Sequence, residues 1–370
     1  MANINDYLIW RGDIPINKTF KFNEIDSMIL ARFSYLPFDK INLEDKETIK
    51  SISKKMKKFK NEDFNYNGDM DLISNLGNSN RFKNMIVTDY IKNNNKKEEK
   101  QFSAITIHIS KKEMYVSILG TDSTLVGWKE DFNMSFMDNV PAQIEGLNYF
   151  KKIAKKYPNK SIRLGGHSKG GNVAIYSSIA VSNKIQERIV KVYNFDGPGF
   201  NEKVLEKYKN KEIIKKISTY IPQDSVVGRI LERKEKCKVV QSIEKGFYQH
   251  DIYSWQVLKD KMIKLDSVTD SSNLMNSAVK EWLKNSTPDQ RKVFFDGVFE
   301  VFSSTSAKTF SELSNIWIKN LPTLFSTYRE ISEEDRKTIM KMLKLFTKTY
   351  ISNLKENGTE KLSKKFNKKD

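Results

Sequence analysis

The clearest alternation of apolar and polar positions lies near the middle of the chain, in FSAITIHIS from Phe102 and, beyond Lys111 and Lys112, in KKEMYVSILGT. Ile105, Ile107 and Ile109 share one side of the first run. Successive strand residues face opposite ways, so the two runs predict a β-hairpin, with His108 on its polar side and outside any catalytic role. Further strands are predicted at Ile162–Leu164, at Val190–Phe195, in KKISTYI and in KCKVVQS.

Helical spacing governs most of the rest. It begins near Glu24, where Ile25, Met28, Ile29, Ala31 and Phe33 recur behind a capping Asn23 and ahead of a stop at Pro37. It returns over residues 140–157, closed by Pro158, and from Val173 through Ile179. Two short amphipathic stretches near 45–60 and 80–93 read as helices, and Lys92 to Lys100 as a solvated loop. The first residues, from Ile4, read as an aromatic-rich extended piece whose Tyr7, Trp10 and Phe22 plug the side of a sheet. From about Lys261 strand signals cease, and segments 273–285, 289–303, 308–328 and 333–355 carry helical periods.

This order predicts the α/β class: a mostly parallel sheet covered by helices over residues 1–260, with a polar helical insert at 40–100. A helical C-terminal region follows over 261–355, and then a disordered basic tail, 356–370.

Composition narrows the functional classes. No run approaches the ~20 apolar residues of a membrane span, and the N-terminus has no basic segment followed by an apolar one, so a cytoplasmic location is expected, export without a cleaved signal staying open. The single cysteine, Cys237, excludes an internal disulfide and fits a reducing compartment. The net charge of +18 comes mainly from Lys interspersed with Asn along the whole chain, with Arg scarce and no nucleic-acid module present. Nucleic acid is therefore not an expected partner. Weak attraction to an anionic lipid surface is a better use of the charge, although the last amphipathic helix reads first as a core-packing one.

The chemistry concentrates in SIRLGGHSKGGNVAIYSSIAV, residues 161–181. Gly166-His167-Ser168-Lys169-Gly170 is a G-x-S-x-G pattern between a predicted strand and a predicted helix, the context a nucleophile elbow requires. A serine on such a strained turn draws neighbouring backbone so close that side chains at Gly166 and Gly170 would collide. The turn leaves the backbone N–H of Lys169 at a helix N-terminus, suited to a developing oxyanion. A second donor is expected from the N–H of Thr121, with its hydroxyl in support, because Gly120-Thr121 leaves a strand ahead of the elbow; an ordinary strand-to-loop turn is the rival reading.

Serine attack needs an imidazole base and a carboxylate that fixes its tautomer. Of three histidines, His108 lies within a strand and His167 inside the elbow, where its ring does not readily turn back onto Ser168. His250, in GFYQHDIYSW past a further strand, is the candidate base. For the acid, Asp224 and Asp196 both follow predicted strands and precede His250. Asp224 is preferred, because the DGPG setting of Asp196 favours an aspartate bonded to its own turn. This set needs no metal or organic cofactor.

The segments NDYLIWRGD, FNEIDSMILARFSYL, GTDSTLVGWKEDFNMSF, GGHSKGGNVAIYSS, YNFDGPGF, YIPQDSVVGRILE and GFYQHDIYSW run in one order over residues 4–260. In them the sequence resembles the Mbeg1-like family of bacterial α/β-hydrolases, formerly a domain of unknown function, and more distantly the class 3 lipases. The family usually carries Arg directly before the Gly-Thr pair, where this chain has Leu119. The resemblance implies an α/β-hydrolase fold and lipase-like or esterase activity on acyl esters or lipids. A catalytically silent scaffold with the same fold is the rival expectation.

Overall fold

The computed structural model describes residues 2–95, 98–121, 125–207, 212–305 and 321–366. Strands β1 (Lys46–Thr48), β2 (Ile86–Asn95), β3 (Lys100–His108) and β4 (Glu113–Ile118) pair antiparallel in sequence order. From β4 the sheet turns parallel through β5 (Ser161–His167), β6 (Ile189–Phe195), β7 (Ile217–Pro222) and β8 (Cys237–Val240). The short β9 (Val257–Leu258) and β10 (Lys261–Met262) pair with each other, and β11 (Lys264–Leu265) closes the far edge against β8.

The alternation expected in the hairpin separates two cores. Phe102 and Ala104 of β3, with Met114, Val116 and Ile118 of β4, bury on one face; Ile105, Ile107 and Tyr115 bury on the other. Helices α1 (Ile4–Arg11), α2 (Glu24–Phe33), α3 (Ile49–Met56) and α4 (Asp69–Asn78) cover that second face. Beyond the short α5 (Leu125–Asn133), helices α6 (Pro141–Lys156) and α7 (Lys169–Ala180) cover the first. With both faces covered, the central parallel strands are largely buried, β7 throughout. The small α8 (Asn183–Arg188), α9 (Glu202–Lys207) and α10 (Glu212–Lys215) fill the later connections.

Two N-terminal readings change. Residues 4–11 form a helix rather than an extended piece: Asn3 and Asp6 make a reciprocal cap, and Ile4, Tyr7 and Leu8 bury at helical spacing. The stretch near 80–93 contains strand β2, whose β-branched start Ile86-Val87-Thr88 pairs with both β1 and β3. Asn23 does cap α2, its side chain accepting from the Ile25 and Asp26 amides. Two hydroxyls fasten α2 to the sheet, Tyr115 donating to the Ser27 carbonyl at 3.1 Å and Ser117 to the Leu30 carbonyl at 2.7 Å.

The C-terminal helices are α11 (Asp270–Lys284), α12 (Pro288–Ser303), α13 (Leu321–Glu330) and α14 (Glu333–Phe366). Part of the expected 308–328 helix lies outside the described residues, and α14 continues into the segment read as a tail, of which 367–370 also lie outside. Trp282, Phe295, Phe299 and Met342 form their own apolar cluster, joined by Phe132 of α5. Among the described residues, no helix is long and apolar enough to cross a membrane.

Candidate active site

Strand β5 ends at His167, α7 begins at Lys169, and Ser168 between them has φ 57° and ψ −133°. A non-glycine residue held there stores strain and persists only where its surroundings over-determine it. The crowding expected of the elbow is present: a Cβ on Gly166 would lie 2.4 Å from the Gly170 carbonyl carbon. The Ser168 amide donates to the Phe195 carbonyl at 2.9 Å, which ties the turn to the end of β6.

Asp196 follows β6 directly, with φ 52°. Its amide donates to the Tyr220 carbonyl at 2.8 Å, and its side chain is buried. One carboxylate oxygen accepts from Ser225 Oγ at 2.5 Å and from the Gly228 amide at 3.1 Å; the other contacts His250 Nδ1 at 2.6 Å. The structure thus brings His250 to Asp196 and not to Asp224, which reverses the preference drawn from the sequence. The carboxylate of Asp224 accepts instead from the Gly246 amide at 2.7 Å, Thr269 Oγ1 at 2.6 Å and the Ser271 hydroxyl. Burial works to raise its pKa, but these donors outweigh it and hold the group below its ordinary range. Asp224 therefore staples the base of the loop that carries His250. The DGPG turn misled because its capping acceptor is Asn194, whose Oδ1 takes the Gly197 amide at 2.8 Å and leaves Asp196 free for the imidazole.

His167 plays a part that the sequence did not announce. Its Nε2 lies 2.7 Å from the His250 carbonyl, which only accepts, so this nitrogen carries the hydrogen. Its Nδ1 lies 3.1 Å from the Tyr35 hydroxyl, and the two imidazole rings stand 4.5 Å apart. Burial first, then the charges of His250 and Arg32, push its pKa well below the ordinary histidine range and keep it neutral. Nothing in the local sequence signals a contact that spans 83 residues.

The Gly120-Thr121 loop crosses the elbow at close range: a Cβ on Gly120 would lie 3.2 Å from Ser168 Cβ and 2.3 Å from the His167 carbonyl oxygen. The Thr121 hydroxyl donates to Asp131, whose pKa burial pushes up to about 6 against the pull of Lys169 and of Thr121 itself. Lys169 commits its buried ammonium to Glu130 at 2.7 Å. Glu130 also accepts from the Gln101 amide at 3.0 Å and the Ala142 amide at 2.8 Å, which fixes the end of α5 beside the elbow. His108 stands apart from the site, bonded to Thr88 and packed on Tyr157. Among the described residues, no group of three or more His, Cys, Asp or Glu is placed to hold a metal ion.

The model of the Mbeg1-like family matches residues 76–300, and the chain belongs to that family. Similar solved structures include a mutant form of MDLA from Penicillium cyclopium, at 12% identity and TM-score 0.37, covering 66% of this chain and 86% of that one. Another is the Rhizomucor miehei lipase in its propeptide complex, at 13% identity and TM-score 0.33, covering 53% and 65%. Lipase II from Rhizopus niveus follows at 10% identity and TM-score 0.32, covering 42% and 67%. No curated protein sequence matches the chain.

Proposed function

We propose that the protein is a serine hydrolase that cleaves carboxylic esters of acyl groups through an acyl-enzyme, with Ser168 as nucleophile, His250 as general base and Asp196 as the orienting acid. The observation that carries this reading is the 2.6 Å contact between Asp196 and His250 Nδ1, made just past the end of β6, the strand beside the one that delivers a strained Ser168. With Nδ1–H donated to Asp196, the Nε2 lone pair of His250 is left to take the Ser168 proton. Ser168 Oγ then bonds to the ester carbonyl carbon, and the imidazolium returns the proton to the departing alcohol. Water, deprotonated by the same imidazole, releases the acid and restores the serine hydroxyl.

The backbone N–H groups of Thr121 and Lys169 are the oxyanion donors in this scheme, supported by the passage of the Gly120-Thr121 loop over the elbow and by the start of α7 at Lys169. A fluorophosphonate probe tests the nucleophile: the wild type labels and Ser168→Ala does not. Equal labelling of both removes Ser168 from the role. A protein that neither labels nor hydrolyses short p-nitrophenyl esters, yet binds lipid vesicles, is a scaffold instead.

A further inference from the structure

Between the sheet's catalytic loops and the C-terminal helices lies a cavity of about 340 Å³ whose walls are almost entirely apolar. On the sheet side its walls come from the neighbourhoods of Asp196, Ser225 and His250 rather than from the elbow itself. Phe247 packs its ring 5.9 Å from that of His250, Pro198 stands two residues beyond Asp196, and Val227 follows the Ser225 that donates to Asp196. Asp131, partner of the Thr121 hydroxyl, completes that wall. The opposite wall comes from Val279 and Trp282 of α11, Phe295 of α12, and Leu343 and Phe346 of α14. Leu343 and Phe346 lie beyond residue 300, where the family match ends.

We propose that this cavity holds the hydrocarbon chain of the acyl group, and that the C-terminal helices thereby set a preferred chain length of about ten to twelve carbons. The length follows from volume, since an apolar cavity of ~150 Å³ accommodates the six carbons of benzene and this one is roughly twice as large. The class of occupant follows from the walls. A hydroxylated or charged group entering here loses its water and finds few partners, whereas methylenes gain from burial. An upper limit also follows. Ser135 and Leu283 of the lining are shared with a second cleft walled by charged groups, among them Lys203, Lys284, Glu202 and Glu232, so a longer chain ends among charges. This inference rests on the serine hydrolase reading for its catalytic consequence, and on the cavity alone for binding.

The full chain is assayed for kcat/KM on p-nitrophenyl esters from two to sixteen carbons, with Val279→Trp to fill the cavity and Val279→Ala to widen it. The expected optimum is at ten to twelve carbons; Val279→Trp lowers the decanoate-to-acetate ratio at least tenfold, and Val279→Ala raises the hexadecanoate-to-decanoate ratio. A wild type that prefers acetate, or ratios unmoved in both variants, overturns the proposal while leaving Ser168 as nucleophile. Calorimetric titration of the Ser168→Ala protein with 2-dodecanone reads the cavity without turnover. Binding, weakened at least tenfold by adding Val279→Trp, supports the proposal even where no ester is cleaved; absence of binding sinks it whatever the esterase assay gives.

Discussion

The candidate site lies between two flanks that hold it by different means. On the N-terminal side the contacts are directional. Tyr35 meets His167, His167 meets the His250 carbonyl, and Arg32 forks onto Asp69 with bonds of 2.7 and 2.6 Å while the Tyr253 hydroxyl donates to the same carboxylate at 2.7 Å. A second buried fork joins Arg81 to Asp26. On the C-terminal side the contact is mainly aromatic: Phe132 of α5 stacks on Phe295 at 4.6 Å, beside Trp282 and Phe299. Polar contacts there sit at the start of α11, where Ser272 Oγ donates to the Ser225 carbonyl at 2.6 Å, and in a clamp from Lys129 to Asp296 at 2.9 Å that is partly open to solvent. Hydrogen bonds fix angles, whereas apolar packing fixes only volume. The flank that bears on His167 and His250 uses the first, and the flank that walls the cavity uses mainly the second.

That contrast can be broken at several points, beginning with the largest effect. Asp196→Asn should lower kcat by about 10⁴-fold, the loss expected when the imidazole takes the wrong tautomer. Asp224→Asn, which lies outside the His250 contact, should cost less than about tenfold, because it loses hydrogen bonds to Gly246, Thr269 and Ser271 rather than the bond to the imidazole. Equal losses in steady-state assays would remove the distinction between the two acids.

Stability offers the next test. Asp69→Asn leaves the Arg32 charge buried without its partner and should cost about 3–5 kcal/mol in urea unfolding. Lys129→Met, on the other flank, should cost less than about 1 kcal/mol, as partly solvated ion pairs do. Comparable losses would mean that the two flanks are held alike.

A smaller, kinetic effect is expected of His167→Phe, which keeps a ring but loses the bond to the His250 carbonyl. kcat should fall about 10–100-fold, in line with an unmet buried acceptor, while KM stays within about threefold. A fall in KM-dependent terms alone would show that His167 does not position the base.

A last effect lies away from both flanks, at His108. Burial holds its pKa down at about 4. Below the ordinary value of about 6.5 the unfolded chain takes up a proton that the folded chain refuses, so stability falls as pH drops from there toward 4, by up to about 1.4 kcal/mol per pH unit. His108→Gln should flatten that slope in thermal melts between pH 7 and 5.

What the sequence made legible was what short-range sterics dictate. Gly166 and Gly170 around Ser168 mark a turn that only small residues tolerate, and the hairpin's alternation put Ile105 and Ile107 on one side, although the side read as polar buries a second core through Phe102 and Ala104. His250 emerged because so few histidines were available. The pairing of His250 with Asp196 did not, since it depends on Asn194 taking over the turn's capping duty and on a left-handed backbone at Asp196, neither written in the DGPG spacing. Long-range contacts were equally silent: no local pattern tells that His167 reaches His250, or that Asp131 receives the Thr121 hydroxyl. The C-terminal helices showed in their periodicity, but their seat against Phe132 did not. Near the N-terminus, aromatic content masked a capped helix at residues 4–11.

The bond from the Ser168 amide to the Phe195 carbonyl stitches the elbow to the residue just before Asp196. Ser168 and Asp196 therefore ride together as one fixed jaw, anchored in neighbouring parallel strands. The other jaw is the loop from Gly246 to Trp255, pinned by Asp224 at one end and His167 in its middle. With the loop so held, the imidazole of His250 is set against Asp196 by contacts made outside the elbow.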